Sequence, residues 1–91
     1  MHLDSYEEKK ALKMRLRKIA GQVAAIEKMV EEDQEVPDVL MQVVSVRKAL
    51  KSFSEVMIRQ HAHECLEHTP DAELSRKKMR ELLKVLERYI E

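Results

Sequence analysis

Residues 12–30 read LKMRLRKIAGQVAAIEKMV and contain the most regular apolar pattern of the chain. Apolar side chains recur there at alternating steps of four and three residues. This spacing places them on one stripe of an α-helix, as in coiled coils and helix bundles. The pattern therefore predicts a long helix that packs against other helices through Leu12, Leu16, Ile19, Val23, Ile26 and Val30.

Helix start signals divide the chain into three segments. Ser5 and Glu8 have the spacing of a capping box, in which two side chains accept hydrogen bonds from backbone amides at a helix start. Pro37 suits the first position of a second helix because proline lacks an amide that would be unpaired there. Residues 69–71 read TPD and indicate a Thr cap, a first-turn proline and an acid near the positive end of a third helix dipole. Helices are therefore expected over about residues 5–33, 37–67 and 70–90.

The composition is typical of helical proteins and argues against an all-β fold. The 91 residues include one Gly, two Pro, two Tyr and one Phe, together with many Leu, Lys, Glu, Met and Ala. A chain of this length is expected to form one domain, residues 1–91, yet it buries only part of its surface by itself. We therefore expect an all-α protomer, with two long antiparallel helices and a shorter third, that associates with further copies.

Nothing in the sequence indicates a membrane protein or an enzyme. No apolar run approaches the roughly 20 residues of a membrane span, and the N-terminus lacks the apolar core of a signal peptide. The cytoplasm is therefore the expected location. The sequence shows no Gly-rich loop, no carboxylate pair and no nucleophile with an evident base and oxyanion site, so no catalysis is expected.

Charges are segregated although the formal net charge is zero. Residues 9–18 contain six basic side chains and no acid, whereas residues 27–38 contain six acids and one lysine. An ordinary solvated helix face mixes both signs to form pairs one turn apart, so binding to DNA phosphates explains the segregation better. No helix-turn-helix or zinc-finger spacing is present. The expected DNA-binding residues, called the basic surface below, are Arg15, Lys9, Lys10, Lys13, Arg17, Lys18, Arg47 and Lys48.

The second helix carries two side chains of the metal-binding type. Its apolar stripe, continued in steps of four from Met57, reaches His61 and then Cys65. Imidazole and thiolate groups one helical turn apart point off the same face and can chelate one Cu(I), Zn(II) or Ni(II) ion. The alternative is a core histidine beside a buried thiol. Two ligands alone hold a metal ion weakly, so the metal hypothesis requires a further ligand.

Helix geometry indicates where a further ligand can lie. Position 36 precedes Cys65 by 29 residues and shares nearly the same helix face. The two positions are about 43 Å apart along one helix, so one chain cannot bring them together. If the second helices of two copies pack antiparallel, position 36 of one copy meets His61 and Cys65 of the other. Two symmetric sites would then form across a twofold interface.

The sequence resembles the copper-sensitive operon repressor family, also called the CsoR/RcnR/FrmR family. The resemblance covers nearly the whole chain and rests on RLRKIAGQV at 15–23, DVLMQ at 38–42, SVR at 45–47, and His61 with Cys65. It implies a three-helix protomer, an antiparallel homodimer that pairs to a homotetramer, and binding to double-stranded operator DNA without a helix-turn-helix. It also implies that DNA is released when an effector occupies the intersubunit site.

One position departs from the family pattern. Family members usually have a cysteine where this chain has Val36, and the copper sensors use that cysteine together with the residues matching His61 and Cys65. Cu(I) is the ion that the resemblance favours, with Ni(II), Co(II) and Zn(II) as alternatives. The resemblance also assigns Glu81 to orienting the histidine, as carboxylates do for ligating imidazoles. The candidate replacement ligands are His2, Asp4, His63 and His68. Of these, His63 faces another side of the helix than His61.

The sequence is also compatible with two other functions. In the first, the repressor senses reactive sulfur, an aldehyde or an oxidant through Cys65 rather than a metal ion. Val36 weakens this reading because a disulfide between positions 36 and 65 is impossible. In the second, the chain is a helical interaction module that does not bind DNA, and His61 and Cys65 only fill its core.

Overall fold

The computed structural model describes residues 6–68 and 71–88, with the side chains of residues 6–63 and 71–88. The described chain forms three helices, α1 (Tyr6–Glu31), α2 (Val36–His68) and α3 (Ala72–Glu87). Within these described ranges there is no β-strand. The expected three-helix, all-α protomer is therefore confirmed. None of the described helices is long and apolar enough to cross a membrane.

The turn between α1 and α2 is closed by a left-handed residue. Asp33 has a φ of 56°. Its amide donates to the carbonyl of Val30 at 3.2 Å, and the amide of Gln34 donates to the carbonyl of Met29 at 3.0 Å. These two bonds form a Schellman motif, which satisfies the last carbonyls of α1 and reverses the chain. The turn explains why α1 ends at Glu31, before the expected limit near residue 33.

Asp33→Gly is expected to raise the free energy of unfolding by about 0.5–1 kcal/mol, because glycine adopts the left-handed conformation without the steric cost that a Cβ adds. Urea denaturation at a fixed protein concentration measures the change. Asp33→Ala is the matched control, since it removes the same charge but keeps the Cβ. Equal stabilisation by Ala and Gly would show that charge, rather than backbone conformation, limits stability here.

The start of α3 differs from the sequence-based expectation. The N-cap is Asp71, whose Oδ1 accepts a hydrogen bond from the amide of Glu73 at 2.9 Å, so the assignment of the cap to Thr69 is wrong. An aspartate satisfies an exposed amide at this position as well as a threonine does and adds a favourable interaction with the helix dipole. The helix therefore begins at Ala72 rather than at residue 70. Ser5, Thr69 and Pro70 lie outside the described residues.

The chain clusters into two compact units, one within Leu3–Val56 and the other within Met57–Glu91. In the first unit, α1 and the beginning of α2 form an antiparallel hairpin. Its core consists of Leu12, Ile19 and Val46, the only buried residues among the described side chains. In the second unit, α3 is amphipathic and Leu82 and Leu86 are partly buried. The assignment of all 91 residues to one domain stays a prediction.

Much of the apolar stripe is left uncovered. On α1, Leu16 is 42% exposed, Val23 50% and Val30 62%, although all three belong to the same stripe as the buried Leu12 and Ile19. The exposed apolar residues on α2 are Val36, Leu40, Met41, Val43 and Leu50. Apolar side chains left exposed along a helix face are typical of a surface that contacts another protein.

Candidate metal site and nucleic-acid surface

His61 and Cys65 both belong to α2, which is continuous from Val36 to His68. The helix places the two positions one turn apart and on the same face, as the sequence predicts. The imidazole of His61 is partly buried, and His63, two positions further on, is exposed. The side chains of Cys65 and His68, and residues His2 and Asp4, lie outside the part of the chain whose side chains are described.

Val36 occupies the opposite end of α2. It is the first residue of the helix and is 67% exposed. Its isopropyl group has no donor atom, so it cannot act as a metal ligand. Glu81, the expected orienting carboxylate, lies on α3 and is exposed. Among the described side chains, no three His, Cys, Asp or Glu residues come together in a way that could hold a metal ion. The ligand assignments therefore stay predictions.

The basic surface is exposed to solvent at all eight of its residues. Six of them lie in the first half of α1, and Arg47 and Lys48 lie in the middle of α2. All eight belong to the Leu3–Val56 unit, so the hairpin presents them from two antiparallel helices. The acidic residues 27–38 occupy the end of α1, the turn and the start of α2. The segregation of charge along the sequence is therefore also a segregation between the two ends of the hairpin.

Arg15 makes a contact that the apolar periodicity does not indicate. Its Nη1 donates a hydrogen bond to Oγ of Ser52 at 3.3 Å, which joins α1 to α2. Ser52 could have been identified from the sequence by the register of an antiparallel hairpin. Once the turn is located near residues 32–35, helices of equal rise bring position 52 level with position 15.

The described chain is all-helical, its first helix carries most of the basic surface, and a histidine precedes a cysteine by one turn of α2. A family model described as metal-sensitive transcriptional repressor matches residues 8–88. The chain belongs to this family of metal-sensitive transcriptional repressors. The proteins of the family are repressors and not enzymes, which agrees with the lack of a catalytic motif.

Three known proteins illustrate the range of the similarity. The transcriptional repressor RcnR of Citrobacter koseri is 36% identical over 83 residues, which cover 91% of this chain and 92% of that protein. The crystal structure of the copper-sensing repressor CsoR with Cu(I) from Geobacillus thermodenitrificans matches with a TM-score of 0.89 and 27% identity, covering 100% of this chain and 95% of that one. The structure of the E64H variant of the formaldehyde-responsive regulator FrmR from Salmonella enterica serovar Typhimurium matches with a TM-score of 0.86 and 30% identity. The match covers 96% of this chain and 99% of that one.

Proposed function

We propose that this protein represses transcription by binding double-stranded operator DNA, and that it releases the DNA when a metal ion binds to His61 and Cys65. The observation that carries the proposal is the placement of these two residues one turn apart on α2, in a chain of the metal-sensitive repressor family. Such a repressor acts where the chromosome is, so the cytoplasm remains the expected location.

The donor set determines which ions suit the site. A thiolate and an imidazole favour Cu(I), Zn(II), Ni(II) and Co(II) over hard cations such as Mg²⁺ and Ca²⁺. Cu(I) is favoured here, because the family resemblance implies it and a copper sensor with Cu(I) shares the fold. Position 36 supplies no third donor, so an ion that needs three or four ligands requires further donors, for which His2 and His68 are candidates. The carboxylate of Glu81 would orient the imidazole of His61.

In this proposal, association with further copies covers the apolar side chains that one protomer leaves exposed. Leu16, Val23 and Val30 leave much of the α1 stripe exposed, and burying apolar area stabilises association by about 25 cal/mol per Å². An antiparallel homodimer, paired further into a homotetramer, would cover this stripe. It would also bring the first turn of one α2 next to the last turns of another. The metal site would then lie at the subunit interface.

The basic surface is the proposed DNA contact. Its residues neutralise phosphates and release counterions, which makes binding steeply dependent on salt. Because no helix-turn-helix enters the major groove, DNA shape and a few base contacts would provide specificity. Coupling to the metal requires that the ion bind more tightly to the form with low DNA affinity. A tenfold loss of operator affinity corresponds to about 1.4 kcal/mol of coupling.

An anaerobic competition titration tests the metal assignment. The protein is titrated with Cu(I), Ni(II), Co(II) and Zn(II) against chelators of known affinity. We expect one tightly bound ion per protomer, with affinity falling about 100-fold or more in His61→Ala because a principal ligand is lost. His63→Ala is the comparison variant: because this imidazole faces another side of α2, its loss should lower the affinity far less than the loss of His61. Equal affinity in the wild type and His61→Ala would refute the assignment.

A second candidate function uses Cys65 as a thiol sensor. It is favoured by the similarity to a formaldehyde-responsive regulator, which matches over almost the whole length of both chains. In this case the repressor is released by modification of the Cys65 thiol, and metal binding is not required. Mass spectrometry after treatment with formaldehyde or polysulfide distinguishes the two functions. An unmodified Cys65 removes the thiol-sensor function, whereas modification that releases DNA without metal would favour it.

A further inference from the structure

We propose that Ser52 is a positioning residue for DNA binding, which holds the guanidinium of Arg15 in place and joins the basic residues of α1 and α2 into one surface. The inference rests on the proposed binding of DNA by the basic surface. It adds a residue that carries no charge and would not be chosen as a DNA contact from its type.

The central observation is the hydrogen bond from Arg15 Nη1 to Ser52 Oγ, 3.3 Å long, between residues that are 37 positions apart in the chain. Arginine has five N–H donors in a planar fork, so one bond to serine leaves the other donors available for a phosphate or a guanine edge. A hydroxyl neutralises none of the positive charge, in contrast to a carboxylate partner. Ser52 can therefore fix the direction of the guanidinium without reducing its attraction for DNA.

The register of the hairpin shows what the bond brings together. Arg15 and Lys18 are one turn apart on α1, and Lys48 and Ser52 are one turn apart on α2. Because the helices run antiparallel and Arg15 is level with Ser52, the next turn of α1 is level with the preceding turn of α2. The bond thus lies where the two groups of cations are adjacent. An ordered arginine also loses less side-chain entropy when it binds a phosphate.

A second serine provides an internal comparison. Ser45 lies seven residues before Ser52, on the same side of α2, but its Oγ donates to the carbonyl of Met41 at 3.2 Å. The residue of α1 at the corresponding level is Gln22, whose Oε1 is buried and has no hydrogen-bond partner. Ser45 therefore bonds within its own helix, whereas Ser52 is bonded to Arg15 of the other helix. Ser45→Ala is a matched control that deletes a hydroxyl from the same helix face.

The test is a double-mutant cycle on the full-length protein. The probe is a duplex that the wild-type protein selects from a pool of random double-stranded sequences, and binding is measured by fluorescence anisotropy at several salt concentrations. We expect Ser52→Ala to weaken binding about three- to tenfold, the size expected for losing one ordinary hydrogen bond. Ser52→Thr, which keeps a hydroxyl, should bind within about twofold of the wild type, as should Ser45→Ala.

The cycle separates positioning from a general effect on structure. In the Arg15→Ala background, Ser52→Ala should cause no further loss, because Ser52 acts through Arg15. Ser52→Ala should also keep the salt dependence of the wild type, whereas Arg15→Ala reduces its slope. Wild-type affinity in Ser52→Ala, or an equal loss with and without Arg15, would overturn the inference while leaving the proposed function intact. Failure of the wild-type protein to select any duplex would instead refute the proposed function, and this inference with it.

Discussion

Val36→Cys is expected to raise the affinity for Cu(I) by at least about 100-fold, because a thiolate ligand contributes several kcal/mol to binding a soft metal ion. The substitution places a donor at the first residue of α2, which is 67% exposed in the protomer. The new cysteine can join His61 and Cys65 only if the second helices of two copies pack antiparallel. Anaerobic competition with a Cu(I) chelator measures the change. The prediction therefore tests the metal site and the interface together.

Val36→Ser is the matched control for this experiment. Serine has nearly the same size as cysteine, but its hydroxyl is a poor ligand for Cu(I), so the affinity should stay close to that of the wild type. Exposure of position 36 means that neither substitution removes a buried side chain. If Cys and Ser variants bind Cu(I) equally, position 36 does not face His61 and Cys65, and the antiparallel arrangement is wrong.

Arg15→Ala is expected to weaken operator binding about tenfold or more, since arginine is the residue best suited to bidentate contacts with phosphate or guanine. The effect is repeated in every protomer that touches DNA. The slope of binding affinity against salt concentration should fall by about one for each lost phosphate contact. Fluorescence anisotropy on the selected duplex measures both quantities.

Lys28→Ala is the matched control for Arg15→Ala, because it also removes one positive charge but from another part of α1. Lys28 lies in the last turn, outside the basic surface, and its Nζ lies 3.8 Å from a carboxylate oxygen of Glu32. An exposed ion pair of this kind contributes little to stability, so the variant should fold and bind DNA as the wild type does. Equal binding losses in the two variants would show that only net charge matters. No loss in Arg15→Ala would remove Arg15 from the DNA contact, whereas failure of the wild-type protein to bind any duplex would favour a helical interaction module that does not bind DNA.

Much of the fold could be predicted from the apolar periodicity. The alternating steps of three and four on α1 follow from burying one helix face, and this requirement acts over the whole length of the helix. Helix ends depend on a few local hydrogen bonds, which several residues can supply equally well. The cap of α3 is therefore Asp71 and not Thr69 as predicted. Asp33 closes the first turn in a conformation that glycine adopts more easily.

The candidate site could be predicted only in part, because some of its residues are close together in the sequence and others are far apart or belong to another copy of the chain. His61 and Cys65 are neighbours on one helix turn, so their pairing follows from sequence spacing alone. The expected approach of position 36 to this site involves another copy of the chain, and the local geometry of one protomer does not contain that contact. Ser52 lies between these cases. Its bond to Arg15 spans 37 positions and depends on the register of the hairpin, which the apolar pattern sets only approximately.

The most direct test of metal-dependent release is operator affinity measured with and without the ion at the same salt concentration. The metal-free wild-type protein should bind the selected duplex, and one equivalent of the tightest-binding ion per protomer should weaken that binding at least about tenfold. The same ion should leave the operator affinity of His61→Ala unchanged. Equal affinity of the metal-free and metal-loaded wild-type protein, at every salt concentration, would contradict metal-dependent repression.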